Sequence, residues 1–479
     1  MSHGHRAVAT APEEKADEAT RPWTILGIML MAQVMVILDV SVVNVALPSM
    51  GDALAFTSSD YQWTVSAYVL LSGGLLLFGG RLADLFDRRS MFLTGLGLFT
   101  TASIISATAS SAEALILSRG AQGAGAALLT PAALSIIMST YAGRQRATAL
   151  AIWGTIGSMG IAVGVLFGGV LTTAFGWRAI FFINVPIGAV AVALTLHLVS
   201  RGQRMGGLRD LDVPGAVTAV GGLLALVYSI EGTRTHGWTS ARTLVAFAAA
   251  VALLAAFALI ERKVSSPLVP PATWRVRSLI SASTVMAVIT GAVVGAIFLN
   301  SLFLQTVLGS SAVVTGLQFL PLAACITAGA MVASKHLGKV TPRAMMIGGL
   351  LVVSVGALVL AAMDSNPSYA ADVLPGFVLI GLGVGPMFVA ISVAAMSGIA
   401  PEKSGLASGV MMTGHEVGAA LGVATLTAIA GDLTTRTGLV DAFPTVFTAL
   451  AVAMIALAGF AAVAVPRQHA QDAHHAGMH

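Results

Sequence analysis

A single carboxylate, Asp39, interrupts a long apolar run over residues 23–48, WTILGIMLMAQVMVILDVSVVNVALP. About twenty apolar residues span a bilayer as a helix, and a carboxylate inside such a helix costs roughly 2.5–3.5 kcal/mol of insertion free energy. In a helix over 24–47, Asp39 lies about 5 Å past the middle, and short acidic side chains reach the membrane interface poorly. We therefore favour a proton or cation pathway, beside an aqueous cleft, over a carboxylate that merely reaches the outer interface.

Arg119 is a second charge within an apolar segment, in LILSRGAQGAGAALLTP over 115–131. Arg119, Gln122 and Thr130 fall on one helical face, and Arg119 lies at a depth near that of Asp39. An arginine that reaches outward along its flexible stem is the alternative, but the shared polar face favours a hydrated interior. A nearby arginine favours ionised Asp39 and burial favours its protonated form, so this pair could take up and release a proton.

Glu416 and His415 lie near the middle of another apolar segment, GVMMTGHEVGAALGVA over 409–424. Glu416 points with Met412 to the side opposite Gly414, and exposing it to lipid would be costly, so that side is predicted to face the cleft. For His415 an interhelical hydrogen bond is favoured over a proton relay. The other predicted cleft-lining residues are polar: Gln33, Asn44, Gln122, Asn300 and Gln305. For Asn300 and Gln305, hydrogen bonds between helices are an equally favoured alternative.

A short charged loop, GRLADLFDRRSM, occupies residues 80–91. Its basic residues suit an ordinary cytoplasmic loop, yet carboxylates and guanidinium groups in so short a loop can bond to each other or to a neighbouring helix end. Such bonds would form a latch that holds the cytoplasmic faces of two half-molecules together. The two interpretations are equally supported by the loop alone. The residues of the predicted latch are Gly80, Asp84, Asp87, Arg88 and Arg89.

Glycines recur at helical spacing in two apolar segments and predict close helix packing, because small residues let backbones approach. These helix-packing glycines are Gly157, Gly160, Gly164, Gly168, Gly169, Gly414 and Gly418.

The composition places these residues in a membrane. The chain has 479 residues, of which 56% are hydrophobic and 10% charged, with a mean hydropathy of +0.89. Soluble domains carry about 25% charged residues, so the chain is predicted to be an all-α polytopic membrane protein. Fourteen apolar segments are predicted to be its transmembrane helices, over 24–47, 61–79, 91–110, 113–138, 147–172, 179–199, 213–231, 242–261, 278–306, 312–334, 343–363, 373–396, 405–430 and 441–465.

Several function classes find no support in the sequence. One cysteine, Cys325, precludes a disulfide within the chain. We find no phosphate-binding G-x-x-x-x-G-K-[ST] loop, no nucleophile–base pair and no metal-ligand spacing. Basic residues are not clustered with aromatics, which argues against nucleic acid. We expect neither an enzyme nor a metal or cofactor site.

Basic residues predict the orientation. With the N-terminus in the cytoplasm, 20 of the 25 basic residues fall in cytoplasmic segments and four outside, as the positive-inside rule requires. Both termini are then cytoplasmic. The predicted organisation is a disordered N-terminal tail (1–22), a six-helix half (23–200), two additional helices (201–262), a cytoplasmic linker (263–277), a second six-helix half (278–466) and a C-terminal tail (467–479).

Taken together, the motifs resemble those of the major facilitator superfamily and, within it, the fourteen-helix drug:proton antiporters, over residues 23–465. The resemblance is carried by LDVSVVNVALP at 38–48, GRLADLFDRR at 80–89, Arg119 with Gln122 and Gly123, WRAIFFINVPIG at 177–188 and FLQTVLGSSAVVTGLQFLP at 303–321.

The resemblance implies a proton-driven exporter of small amphipathic, often cationic, compounds, with the seventh and eighth helices outside a core of two six-helix halves. It assigns Asp39 and Arg119 to coupling or substrate binding, and Asp84 and Arg88 to the latch. We expect a bacterial plasma-membrane protein that works as a monomer, with small-molecule substrate, protons and lipid as its only partners and the proton gradient as its energy source.

One family signature departs from its pattern. The antiporter motif G-x-x-x-G-P-x-x-G-G reads GIAVGVLFGG here, with Val165 in place of proline. The glycines are kept and the proline kink is missing. A proton-coupled uptake symporter therefore stays as the alternative, and a non-transporting membrane sensor or a membrane-embedded enzyme is less favoured.

Overall fold

The structure, a computed structural model, describes residues 12–201, 207, 211–337, 339–363, 367–397, 399 and 404–466. This part of the chain is helical and contains no strand. We number its fourteen long helices α1 (Pro12–Leu54), α2 (Ser58–Leu85), α3 (Arg88–Ala107), α4 (Ala112–Thr140), α5 (Gly143–Phe175), α6 (Ala179–Leu198, with a break at Ile183), α7 (Val213–His236), α8 (Ala241–Lys263), α9 (Arg277–Thr306), α10 (Ala312–His336), α11 (Pro342–Ala361), α12 (Leu374–Met396), α13 (Ser404–Ala430) and α14 (Arg436–Ala464).

The helices have the length and apolarity that the sequence predicts. Among the described residues, twelve helices are long and apolar enough to cross a bilayer. The other two, α5 and α13, have 33 and 27 residues, more than the roughly 20 that a bilayer requires. The prediction of fourteen long helices is confirmed, and twelve of them have the length and composition of a membrane span.

Local sequence sets the helix ends. Thr57 and Asp60 form a capping box at the start of α2, in which each side chain accepts a hydrogen bond from the other residue's backbone N–H. Gly176 ends α5 with φ of +80°, a conformation that glycine adopts without strain. The expected end of α1 at residue 47 is wrong, since the helix continues through Pro48 to Leu54.

The helices pack as two six-helix halves and an additional pair. Within α1–α6, α4 contacts α2 and α3, and α1 contacts α5; within α9–α14, α9 contacts α13, and α12 contacts α10 and α11. The halves meet where α2 packs on α13 and α5 on α10. The pair α7–α8 packs together, and α7 also contacts α2 and α13. The additional pair therefore lies along one seam between the halves.

Glycines make these close contacts possible. A Cβ on Gly164 would lie 2.5 Å from the Ser41 side chain, and one on Gly168 would lie 2.8 Å from Val42, so α5 presses on α1. A Cβ on Gly169 would lie 2.5 Å from the Ala312 carbonyl oxygen of the other half.

The predicted glycine stripe of α13 faces α9. A Cβ on Gly414 would lie 3.2 Å from the Ser283 carbonyl oxygen, and one on Gly418 would lie 2.0 Å from that of Ala287. The side-chain surroundings of the other two predicted packing glycines, Gly157 and Gly160, lie outside the described part of the structure.

Candidate functional site

Asp39 and Arg119 form an ion pair inside the N-terminal half. A guanidinium N–H of Arg119 on α4 donates to Asp39 Oδ2 on α1, and Arg119 Nε donates to the Thr64 carbonyl oxygen on α2 at 3.3 Å. Asp39 is 3% exposed and Arg119 is 1% exposed. The sequence predicted a similar depth for the two residues, and the fold brings them into direct contact.

Neutral polar groups surround the pair. Gln122 Nε2 donates to Asp39 Oδ1 at 3.0 Å, and Asn184 Nδ2 donates to the same oxygen at 3.3 Å. Arg119 also donates to Gln122 Oε1 at 2.9 Å. Ser103 Oγ accepts from Gln122 Nε2 at 2.8 Å and from Asn184 Nδ2 at 3.3 Å. Both carboxylate oxygens of Asp39 therefore accept hydrogen bonds from side chains of other helices.

Aromatic rings cover the guanidinium. The Arg119 Cζ atom lies 4.4 Å from the ring centroid of Tyr68 and 5.9 Å from that of Phe181. Cation–π attraction strengthens when both groups are desolvated, and Tyr68 and Phe181 are fully buried. The rings therefore add to the electrostatic stabilisation of the charge.

The expected aqueous cleft does not reach Asp39 in this conformation, because Asp39 and Arg119 are both buried. Among the described residues, α2, α3 and α6 place polar and aromatic groups around the two charges. Protonation of Asp39 would remove the negative partner of a buried guanidinium, which is costly in a site of low dielectric constant. Breaking the pair would therefore leave an uncompensated charge inside the N-terminal half.

Sequence analysis missed Asn184, Ser103, Tyr68 and Phe181. Asn184 is a polar residue within an otherwise apolar segment, which is a signal that could have identified it. The sequence does not reveal the partners of the other three residues, since they come from different helices.

Glu416 lies on the seam between the halves. Its Oε2 accepts from Ser72 Oγ of α2 at 3.1 Å, and its Oε1 lies 3.6 Å from His415 Nδ1. The Glu416 side chain is 21% exposed. A Cβ on Gly73 would lie 2.2 Å from the Glu416 Cβ, so the α2 backbone packs closely against the Glu416 side chain. Glu416 thus faces the other half, opposite the glycine stripe that packs on α9.

Three other predicted cleft residues lie near this seam or within the N-terminal half. Met412 is 38% exposed, and the His415 ring centroid lies 6.3 Å from that of Phe388. Gln33 has a buried Oε1 that lacks a hydrogen-bond partner.

Asn300 and Gln305, the two predicted cleft residues of α9, differ in their hydrogen-bond partners. Gln305 Nε2 donates across the halves to the Val45 carbonyl oxygen at 2.9 Å. Asn300 Nδ2 donates within its own helix to Ala296 at 2.8 Å, and its buried Oδ1 has no partner. Gln305 thus bonds between helices, which was one of its two interpretations.

Asn44 explains how α1 passes through Pro48. Proline has no N–H, so the carbonyl of the residue four positions earlier loses its helical partner. That carbonyl belongs to Asn44, and Ser301 Oγ of the other half donates to it at 2.6 Å. The Asn44 side chain donates to the Val40 carbonyl oxygen at 3.1 Å, and its buried Oδ1 has no partner. The proline therefore creates a contact point between the halves.

In this conformation Arg89 bonds to a neighbouring helix end within the N-terminal half, and the latch between the halves stays a prediction. Arg89 donates to the Val199 and Leu196 carbonyl oxygens at the end of α6, at 2.9 and 3.0 Å. Asp87 is the N-cap of α3 and accepts from Ser90 N at 3.2 Å. A cation at a helix C-terminus satisfies orphan carbonyls, so Arg89 fastens the loop within the N-terminal half.

The structure also places other residues of the predicted latch. Gly80 lies beside Pro131 of α4, also in the N-terminal half, at 3.9 Å from an added Cβ. Arg88 is the first residue of α3 and partly buried. The Asp84 side chain lies outside the described part of the structure.

Hydrogen bonds close the bundle at one end. We call the end opposite the chain termini, which carries the α1–α2 and α13–α14 loops, the distal end. There Gln62 Oε1 accepts from Thr427 Oγ1 at 2.8 Å, and Ser58 Oγ accepts from Leu433 N at 3.1 Å. These contacts join α2 of one half to α13 and its loop in the other.

Helix α7 reinforces the distal closure. Glu231 is 7% exposed and accepts from Ser59 Oγ of α2 at 2.7 Å. One turn later, Arg234 donates to the Gly431 carbonyl oxygen at the end of α13 at 3.5 Å, and its Nη2 lies 3.9 Å from Glu231. Helix α7 therefore forms hydrogen bonds to both halves at the distal end.

Substitution of Glu231 with leucine should loosen the distal end. A hydrogen bond to a charged group contributes about 1.5–3 kcal/mol, so the ratio of open to closed molecules should rise at least about tenfold. Spin labels at positions 57 and 436, in a Cys325→Ser background, report the distal opening as a longer label–label distance. Glu113→Leu, at an exposed acid of the same end, is the matched control. An unchanged distance distribution in Glu231→Leu would contradict a closing role for α7.

Among the described residues, no group of three or more His, Cys, Asp or Glu side chains could hold a metal ion.

Sequence comparison agrees with this architecture. The family model "Major Facilitator Superfamily" matches residues 29–208 and 213–423. The chain is 37% identical over 338 residues to puromycin resistance protein pur8 of Streptomyces alboniger, covering 70% of this chain and 67% of that protein. It is 37% identical over 360 residues to cephamycin export protein CmcT of Amycolatopsis lactamdurans, covering 74% of each.

Solved structures share the fold. A bacterial homologue of the human lysosomal transporter Spinster, in an inward-facing and occupied conformation, superposes with a TM-score of 0.64 at 16% identity, covering 95% of this chain and 97% of that one. A peptide transporter POT in complex with sulfate gives a TM-score of 0.64 at 17% identity, covering 92% and 94%. With its helix arrangement and buried charges, the chain therefore belongs to the major facilitator superfamily, as a multi-span transporter of a bacterial plasma membrane.

Proposed function

We propose that the protein is a proton-coupled exporter of small amphipathic drugs or metabolites that are cationic or neutral. The observation that carries the proposal is the buried Asp39–Arg119 pair, because its carboxyl cannot change protonation without disturbing the packing of α1 against α4. Relatives named for resistance or export, such as the puromycin and cephamycin proteins, support the drug class and the outward direction.

The proposed cycle uses the two acids differently. With both termini in the cytoplasm, the distal closure faces outside and the proximal end admits substrate from the cytoplasm. Glu416, on the seam beside Ser72 and His415, attracts the cationic group of the substrate. When the distal end opens, a proton reaches Asp39, weakens its pairing with Arg119 and shifts α1 against α4. Substrate leaves outward, and the proton is released inside after the halves rock back.

The proposal also covers the energy source, the oligomeric state and the domain organisation of the protein. The proton gradient supplies the energy without a cofactor, the monomer is the working unit, and the halves are residues 23–200 and 278–466 with the additional pair at 201–262. The panel of relatives suggests the first compounds to try: puromycin, lincomycin, tetracenomycin C and methylenomycin A.

Transport into everted membrane vesicles tests the function. Acidifying the vesicle lumen should drive uptake of at least one of these compounds by the wild-type protein, and Asp39→Asn should reduce that uptake at least tenfold. Asp52→Asn, at an exposed carboxylate of α1, should transport normally. Wild-type uptake in Asp39→Asn vesicles would rule out its coupling role.

The direction of transport separates export from the symport alternative, which the valine at position 165 in α5 keeps open. In proteoliposomes that contain protein of one orientation, an imposed proton gradient should move substrate against the direction of proton flow. Substrate that accumulates in the direction of proton flow would establish symport.

A further inference from the structure

One face of α2 connects the two acidic sites. Thr64, Tyr68 and Ser72 are spaced four residues apart and so lie above one another on the helix. The Thr64 carbonyl oxygen accepts from Arg119 at one end of this face. At the other end, Ser72 donates to Glu416. Tyr68 therefore occupies the position between the Asp39–Arg119 pair and Glu416.

Among the described residues, the Tyr68 hydroxyl has no hydrogen-bond partner, although Tyr68 is only 1% exposed. A buried polar group without a partner is destabilising and is rare in folded proteins. The rest of the side chain is held in place, since the Tyr68 ring meets the Phe99 ring edge-on, with 6.5 Å between the ring centroids, and also contacts the Arg119 guanidinium. A rigid ring with an unsatisfied hydroxyl is an arrangement that packing alone does not explain.

Charges from three helices act on this hydroxyl. Asp39 of α1, Arg119 of α4 and Glu416 of α13 lie within electrostatic range of Tyr68, and His415 adjoins Glu416. Tyr68 also packs in one apolar cluster with Ala419, Ala420 and Ala424 of α13. Its surroundings therefore include both halves, and motion of α13 against α2 changes the distance between Tyr68 and Glu416.

We propose that the Tyr68 hydroxyl relays a proton between Asp39 and Glu416 when the halves move. In the transfer, the O–H bond of the protonated carboxyl breaks as the tyrosine oxygen accepts that proton, while the tyrosine gives its own proton to the other carboxylate. One proton moves, one carboxyl is ionised and the other neutralised, and the tyrosine is unchanged. In the distally closed conformation the hydroxyl contacts neither acid, so the relay is interrupted there.

The relay deepens the proposed function, and proton binding by purified full-length protein tests it without any substrate. After a rapid pH drop in the presence of a pH-indicator dye, the phase of proton uptake that Glu416→Gln removes should be at least tenfold slower in Tyr68→Phe, with an unchanged final number of protons. Tyr61→Phe makes the same change on the same helix, where the ring packs on Phe56, and should keep the wild-type rate.

Tyr68→Phe should not affect folding, because it removes a hydroxyl that makes no hydrogen bond. Where a transported compound is known, substrate exchange at equal pH on both sides should keep its wild-type KM while proton-driven transport falls at least tenfold. A wild-type uptake phase in Tyr68→Phe would overturn the relay. So would a slower phase accompanied by a lower Tm, or an altered exchange KM, since these indicate structural and substrate-binding roles. If no compound is transported by the wild-type protein, the proposed function fails while the pH-drop experiment still decides the relay.

Discussion

Replacing Arg119 with leucine should lower the free energy of unfolding by about 3–5 kcal/mol, because a buried carboxylate loses its only positively charged partner within the described residues. Asp39 would retain hydrogen bonds from Gln122 and Asn184, but these neutral donors do not balance a full charge in a site that water does not reach. Thermal unfolding of the purified protein in detergent measures the loss as a lower Tm. Arg436→Leu, at an exposed arginine that begins α14, should stay within about 0.5 kcal/mol of wild type.

Removing both charges should recover much of the stability. In Asp39→Leu/Arg119→Leu the site holds no unpaired ion, and apolar replacements of buried ion pairs are often neutral or stabilising. The double variant should therefore unfold at a higher temperature than Arg119→Leu alone while showing no proton-driven transport. Additive losses in the double variant would contradict direct pairing, since independent sites add and contacting sites do not. The comparison separates the structural contribution of the pair from its proposed coupling role.

A methyl group on Gly422 should separate α9 from α13. The added Cβ in Gly422→Ala would lie 2.1 Å from the Gly291 carbonyl oxygen and 2.2 Å from its Cα. These are backbone atoms of the facing helix, so no side-chain rotation relieves the overlap. Overpacking typically lowers the free energy of unfolding by about 1–3 kcal/mol and occasionally by more. Because two backbones are in contact here, we expect Gly422→Ala to lower it by about 3 kcal/mol or more. A lower Tm and a reduced yield of monodisperse protein are the expected results.

Gly97→Ala provides the matched control for this variant. Gly97 is also in the interior of a helix, but nothing lies within 4 Å of an added Cβ. Alanine should be tolerated there and could stabilise α3 by about 0.5–1 kcal/mol, since glycine loses more backbone entropy on folding. Equal Tm values for Gly422→Ala and Gly97→Ala would show that the contact between α9 and α13 is looser than the structure indicates.

The candidate site was partly visible in the sequence. Asp39, Arg119 and Glu416 stand out because an ionisable residue in an apolar segment is costly, and a chain pays that cost only where the charge is paired or used. Helical spacing then placed Gln122 beside Arg119 and turned Glu416 away from the glycine stripe. Both results depend on local periodicity alone, which is why they could be obtained from a single sequence.

Contacts between distant segments could not be obtained in this way. Asn184 reaches Asp39 from α6, and Ser72 reaches Glu416 across the halves. Bonds from the 80–91 loop to a neighbouring helix end were expected, but the sequence could not say that Arg89 would reach the carbonyls at the end of α6. Backbone carbonyls leave no residue-specific signal in a sequence, and so only the fold reveals which helix end lies near a given arginine.

The sequence by itself determined that the chain spans a membrane with fourteen helices and that three ionisable groups lie within them, since hydropathy and the cost of buried charge are local properties. Tertiary structure alone decided that Asp39 and Arg119 are sealed within one half instead of facing open water, that Glu416 lies on the seam, and that Tyr68 stands between them. Those facts depend on which helices pack together and at what register, and the packing is set by glycine contacts and orphan carbonyls between segments far apart in the chain.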